Sequence, residues 1–219
     1  MNAQKPRILV CIPCMDQIPT EFVRCLTALE PVGETNISFL AGSLVYASRD
    51  KLAQQALEGG YDYLLWLDSD MIFPSSLLRD LYADLQEAGR HFVSGLYFRR
   101  KAPYNPVLYK TVRMGLPGEG VAEEYDDYPR EQIFEIDACG FGAVLMRAEL
   151  VRQVIAHDRT GFIPIPGYGE DISFCLRAKR LGFQLYCDSR IRAGHLGTAV
   201  VDEAFFDRLQ TMKGERNGE

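Results

Sequence analysis

The stretch RILVCIP, residues 7–13, is apolar at successive positions, not alternate ones, and is ended by Pro13. That pattern predicts a short strand buried on both faces of a sheet. From Thr20 the spacing changes: Phe22, Cys25, Leu26 and Leu29 fall at i, i+3, i+4 and i+7, predicting a helix capped by Thr20. ISFLAGSLV (37–45) predicts a second strand. Ser48 opens a predicted helix, SRDKLAQQALEGG, which buries Leu52, Ala53, Ala56 and Leu57 and stops at Gly59-Gly60. YDYLLWLD (61–68) is a third strand running into Asp68-Ser69-Asp70. Ser75 or Ser76 caps a helix with Leu77, Leu78, Leu81, Tyr82 and Leu85 on one face, and HFVSGLYF (91–98) is a fourth strand.

Strand and helix thus alternate to about residue 98, which predicts an α/β fold with a mostly parallel central sheet flanked by helices. Beyond that point VLYKTV, QIFEIDA and GAVLMR predict shorter strands. Between the first two lies MGLPGEGVAEEYDDYPRE (114–131), rich in Gly, Pro and acids. It reads as a loose loop or a lid, with Tyr125 and Tyr128 as aromatic faces that could close on a ligand. The helices AELVRQVIAHD and EDISFCLRAKRLG follow, then the strand FQLYCDS, then RIRAGHLG and an amphipathic tail with Phe205, Phe206 and Leu209. No repeat and no linker divides the chain, so one domain over 1–219 is expected: a nucleotide-binding half to about 98, an acceptor-side half over about 99–200, and a tail.

Composition narrows the field. A chain of 219 residues supports one sizeable core, and its net charge of −6 argues against a protein that coats nucleic acid or anionic lipid. No apolar run approaches a membrane span or a signal peptide, so a soluble cytoplasmic protein is expected. Of the six cysteines, Cys11 and Cys14 have C-x-x-C spacing, but nothing completes a zinc site and all sit in apolar runs. They read as buried, reduced thiols.

Three places carry chemistry. Asp68 and Asp70 are spaced i, i+2 at the carboxyl end of an apolar strand, where parallel sheets bind ligands. Their oxygens suit Mg²⁺ or Mn²⁺ bridging to a diphosphate, although Asp and Ser are also common in plain turns after strands. Glu170-Asp171 follow the Pro- and Gly-rich GFIPIPGYG and open a helix, where the macrodipole would lower a carboxyl pKa. His195, in AGHLG, has flanking glycines that permit close approach of the backbone to a ligand. His91 and His157, at helix ends, read as structural. Arg99-Arg100-Lys101 reads as a solvated charge run.

Taken together, the order of strand–DSD, GED at a helix start and H-x-G after one more strand resembles the GT-A glycosyltransferases, especially their family-2-like branch, in a small soluble bacterial or phage form. The resemblance runs from about Ile8 to Gly197 and includes ASRD at 47–50 and the opening ILVCIPCMD. It implies a GT-A (Rossmann-like) domain and a hexosyltransferase-like enzyme using Mn²⁺ or Mg²⁺ and a nucleotide-sugar donor, most simply a UDP-sugar. Carried over residue by residue, Asp70 and His195 are metal ligands. Asp68 contacts metal or nucleotide with Ser69 beside it, and Asp171 is the general base with Glu170 as its neighbour. Pro13, Met15, Asp16 and Arg49 are donor contacts. Asp50 departs from the family's Asn. The Q/R-x-x-R-W motif of processive synthases is absent after Asp171, which with the missing membrane spans implies single additions, and one base on the face opposite the leaving group implies an inverting transfer.

Other classes are less well served. A pyrophosphorylase or a dinucleotide oxidoreductase wants a Gly-rich phosphate loop after the first strand, and CIPCMDQIP has none. A glycosidase would use two acids without a metal-binding His. A non-catalytic sugar- or nucleotide-binding module remains open. So does the acceptor: a glycan, a small molecule, or a hydroxylated base in phage DNA, for which Arg99-Arg100-Lys101 is the one supporting feature.

Overall fold

The computed structural model describes residues 5–42, 44–114, 120–197 and 200–216. Strand β1 (Arg7–Cys14) is followed by α1 (Thr20–Ala28), β2 (Glu34–Ala41), α2 (Val45–Glu58) and β3 (Tyr63–Leu67). The two-residue β4 (Met71–Ile72) precedes α3 (Leu77–Glu87) and β5 (Phe92–Leu96). Five strands come next: β6 (Leu108–Met114), β7 (Gly120–Glu124), β8 (Ile133–Ile136), β9 (Ala138–Cys139) and β10 (Ala143–Arg147). Helices α4 (Ala148–Asp158) and α5 (Glu170–Arg180) lead to β11 (Leu185–Arg192), β12 (Gly194–Leu196), β13 (Val200–Val201) and α6 (Glu203–Arg216).

The main sheet has the order β2-β1-β3-β10-β5-β11-β8. β1 is parallel to β2 and β3, β11 is parallel to β5, and β10 lies antiparallel between β3 and β5. β2, β1, β3, β5 and β11 therefore share one direction, and β10 and the edge strand β8 oppose it. The continuous apolar runs explain this placement. Alternate residues of a strand face opposite sides, so Leu9, Cys11, Leu64 and Trp66 enter one core while Ile8, Val10, Leu65 and Leu67 enter the other. Helices α2, α4 and α5 cover the first face, and α1 and α3 the second. Each fully buried Leu or Ile contributes roughly 1.5–3 kcal/mol. All six cysteines are free, and only Cys25 is not buried. Among the described residues no helix is long and apolar enough to cross a membrane.

Several predicted boundaries move. Pro19, not Thr20, holds the cap position of α1, with no side-chain capping bond. α2 begins at Val45, before Ser48, because the pairing of β2 with β1 ends at Cys14–Ala41 and frees the chain to turn. The largest change concerns the predicted lid. Gly120–Glu124 is a strand paired with β6. Tyr125 packs edge-on against Phe134 at 5.4 Å, and Tyr128 is buried, with its hydroxyl donating to Glu203 Oε1 at 2.9 Å. Two of the acids that suggested looseness are paired, Glu124 with Arg99 and Asp127 with Lys110. Neither tyrosine is free to close on a ligand, and residues 115–119 lie outside the described residues.

Candidate active site

The site forms where β3 leaves the sheet. All five residues of β3 are buried, and Asp68 is the first position half open to water. The short strand β4 then pairs antiparallel with β12, setting Met71 opposite His195, while Leu196 N–H donates to the Asp70 carbonyl at 2.7 Å. Two segments remote in sequence are thereby locked side by side, and His195 Nε2 lies 3.3 Å from Asp70 Oδ2. His195 Nδ1 lies 3.0 Å from the Phe98 carbonyl, which can only accept, so Nδ1 carries the proton. Nε2 is thereby left facing the Asp70 carboxylate, and it is the nitrogen through which a histidine held at Nδ1 by a backbone carbonyl can meet a metal. Gly194 is needed for packing, not for a ligand: a Cβ there would meet Val200 Cγ1 of β13 at 2.9 Å.

Burial pushes the Asp70 carboxyl up, but the hydrogen bond and charge of His195, and the charge of Arg100, outweigh it and hold it below the usual carboxylate range. An ionised oxygen facing an imidazole nitrogen suits Mn²⁺ or Mg²⁺. Among the described residues no group of three or more His, Cys, Asp and Glu side chains is arranged to hold a metal. Asp68 turns Oδ1 toward Arg49 at 2.6 Å instead. The residues therefore fit a cation that takes the rest of its shell from phosphate and water.

Arg49, on α2, is 2% exposed. Its Nη2 donates to Asp68 and its Nε to Glu170 Oε1 at 3.2 Å, joining the D-x-D to the start of α5. Nη1 is buried without a hydrogen-bond partner, and the Trp66 and Phe141 rings lie 5.5 Å from the guanidinium carbon. Burial opposes the charge of Arg49, but Asp68, Glu170 and Asp171 outweigh it and raise its pKa. Asp50, the departure from the family pattern, accepts from Thr160 Oγ1 and from the N–H groups of Gly161 and Phe162 at 2.9–3.0 Å. It pins the loop ahead of α5 and has no part in the site.

Asp171 behaves opposite to the helix-terminus expectation. Its carboxyl is raised to about 6, first by burial and then by the charge of Glu170. The Ile172 N–H at 2.7 Å and Arg49 pull it down without prevailing, and Asp68 adds to the rise. The helix-end effect is real but smaller than the cost of desolvating the charge. Pro13, at the end of β1, is buried, while Met15 and Asp16 are exposed just beyond it. Cys11 of β1 is level with Trp66 of β3, so Met15, Asp16 and Asp68-Ser69-Asp70 leave the sheet at one edge.

Two further residues belong here that no local pattern marks. Tyr97 is buried, lies edge-on to His195 at 5.7 Å and accepts the Gly142 N–H at 3.2 Å. Burial raises its phenol well above the ordinary value, and the charges of Asp68 and Asp171 add to that, so its ring lies among all three motifs. Arg100 pairs with Asp70, and Arg99 with Glu124 and Tyr109. Of the run read as solvated, Arg100 is engaged with the site, Arg99 with β6 and β7, and Lys101 is exposed. His91 contacts Glu149 and the Phe183 ring, and His157 contacts Asp158, all away from the site.

No family model and no curated protein sequence matches the chain. Solved structures match its shape. A197 from STIV superposes with a TM-score of 0.64 at 22% identity, over 87% of this chain and 86% of that one. The fold is of the GT-A type. GalNAc-T7, solved with UDP, GalNAc and Mn²⁺, superposes at 0.61 and 11% identity over 90% of this chain and 45% of its own. S. aureus TarS 1–349 superposes at 0.50 and 13% identity, over 84% and 60%. The present chain thus spans about half of GalNAc-T7, and identities this low carry the fold alone.

Proposed function

We propose that this chain is a metal-dependent glycosyltransferase, a single domain over 1–219, moving one sugar from a UDP-sugar to a hydroxyl acceptor with inversion. The observation that carries the reading is the meeting of Asp68–Asp70, Glu170–Asp171 and His195 at one sheet edge, through Arg49 and the Asp70–His195 contact. The likeness to GalNAc-T7, a structure with UDP, GalNAc and Mn²⁺, supports the donor class.

Asp70 and His195, with Asp68 beside them, would hold Mn²⁺ or Mg²⁺, which supplies Lewis-acid neutralisation of the departing diphosphate. Met15, Asp16, Ser69 and the backbone at Pro13 border the edge where base and ribose would lie. Arg49, too buried to reach the donor, acts by holding Asp68 and Glu170 in place. A hydroxyl is a poor nucleophile until its proton is removed. Asp171 is suited to remove it, because a carboxyl with a pKa of about 6 is a stronger base than an ordinary Asp, yet is ionised at neutral pH. A single base opposite the leaving group gives inversion. A DNA-base acceptor would draw on Arg99–Lys101, and Arg99 is held by Glu124 and Tyr109. A glycan or small-molecule hydroxyl is therefore the acceptor class favoured here.

Thermal shift with a panel of sugar nucleotides and Mn²⁺, followed by hydrolysis and transfer assays, tests the reading. A UDP-sugar should raise Tm in the presence of the cation and be turned over. If none binds, the assignment fails. A donor that binds but is never hydrolysed or transferred would make the chain a non-catalytic binding module.

A further inference from the structure

Two nitrogen-bearing side chains meet Asp70, and only one of them, His195, can ligate a metal. Oδ2 receives the Arg100 guanidinium and faces His195 Nε2 at 3.3 Å. A dication on that oxygen would bring two positive charges against a third within about 4 Å, a strong repulsion even where water screens it. Arg100 and the metal cannot both occupy Oδ2.

The surroundings let Arg100 leave. It sits near the tip of a turn whose neck is closed by the Phe98–Pro106 bridge and by Arg99 N–H donating to the Asn105 carbonyl at 3.0 Å. Within the turn Tyr104 N–H donates to the Lys101 carbonyl at 2.9 Å. Arg99 is anchored to Tyr109 and Glu124, but the Arg100 side chain is 49% exposed, and Asp70 is its ion-pair partner. Rotating it away breaks one ion pair and leaves the turn and the core intact.

We propose that Arg100 is the resident counter-ion of the cation site, a role that rests on Asp70 and His195 binding a metal. It neutralises Asp70 until a divalent metal displaces it, and then turns its guanidinium to the donor diphosphate beside the metal. A guanidinium matches phosphate oxygens with paired N–H groups, so the released side chain has a partner at hand. Metal and diphosphate would then each favour the binding of the other.

Titration with Mn²⁺ alone, followed by the EPR signal of the free ion, tests the displacement without any turnover. Arg100→Ala and Arg100→Gln should tighten Mn²⁺ binding by roughly twofold to fivefold, the scale set by a half-exposed ion pair. Arg100→Lys should stay near the parent. Asp70→Asn and His195→Ala should abolish binding. If these two abolish it while the neutral Arg100 variants leave Kd unchanged or weaker, the Arg100 inference alone is overturned. If Asp70→Asn and His195→Ala bind Mn²⁺ as the parent does, the cation reading falls and takes this one with it. At saturating Mn²⁺, Arg100→Ala should also weaken UDP binding severalfold; an unchanged UDP Kd would remove the diphosphate step.

Discussion

Arg49 Nε donates to Glu170 Oε1 at 3.2 Å, a contact between residues 121 apart in sequence. The same guanidinium holds Asp68 at 2.6 Å, so one buried cation sets the separation of the two acidic motifs. Arg49→Met should leave both acids without their partner and lower stability by roughly 2–3 kcal/mol, at or below the low end for a broken buried pair. Water reaches Asp68, at 30% exposure, and softens the loss. Arg49→Lys, which keeps the charge but not the fork, should recover part of it. Urea midpoints compared at constant m-value give the measurement.

Asp171 sets a pH expectation. Its carboxyl is raised to about 6 by burial and by Glu170, and a base must be ionised to accept a proton. Turnover should therefore rise with pH and level off above about 6, and Asp171→Asn should lose that inflection along with roughly 10²–10⁴ in rate. Donor affinity should hardly change. Glu170→Gln removes a like charge and should move the inflection to lower pH. A pH profile unaltered in Asp171→Asn would place the base elsewhere.

Chelation gives the third test. EDTA should abolish donor turnover and Mn²⁺ or Mg²⁺ restore it, with Asp70→Ala and His195→Ala imitating the chelated state. Full activity in EDTA would remove the metal from the mechanism.

A pair of carboxyls outside the site predicts how stability varies with pH. Asp84 of α3 is raised to about 7 by burial, then by hydrogen bonding and charge from Asp188 of β11, against Arg190 and Arg90. Arg190 donates to Asp188 at 2.6 Å and to Asp84 at 3.3 Å. The fold favours protonated Asp84, so its contribution is complete below the unfolded pKa near 4 and is lost as pH rises through about 7. Asp188, lowered despite burial by its bonds to Arg190 and Asp84, works the other way, losing its contribution only in more acid solution. Between about pH 4 and 7 this group should make the protein lose stability as pH rises, and Asp84→Asn should flatten that slope. Equal slopes in thermal or urea unfolding would show that the pair shares no proton.

The alternation of apolar runs and amphipathic helices to about residue 98 was legible because strands buried on both faces and helices buried on one have distinct local spacings. D-x-D at a strand end and acids at a helix start were legible for the same reason, since each is set by a few neighbouring residues. What the sequence could not determine is what meets what. β4 and β12 are too short to have a period of their own, and only their pairing brings His195 to Asp70. Arg100 reads as surface charge until the turn at Arg99–Asn105 sets it on Asp70. The acids of 120–130 read as a loose loop until cross-strand partners and Glu203 hold the segment in place. Even the pKa of Asp171 reverses, because burial depends on what packs over the helix end and outweighs the local dipole. Local spacing determines which residues form strands and helices; contact across the chain determines which side chains lose their water, and that loss sets the chemistry of this site.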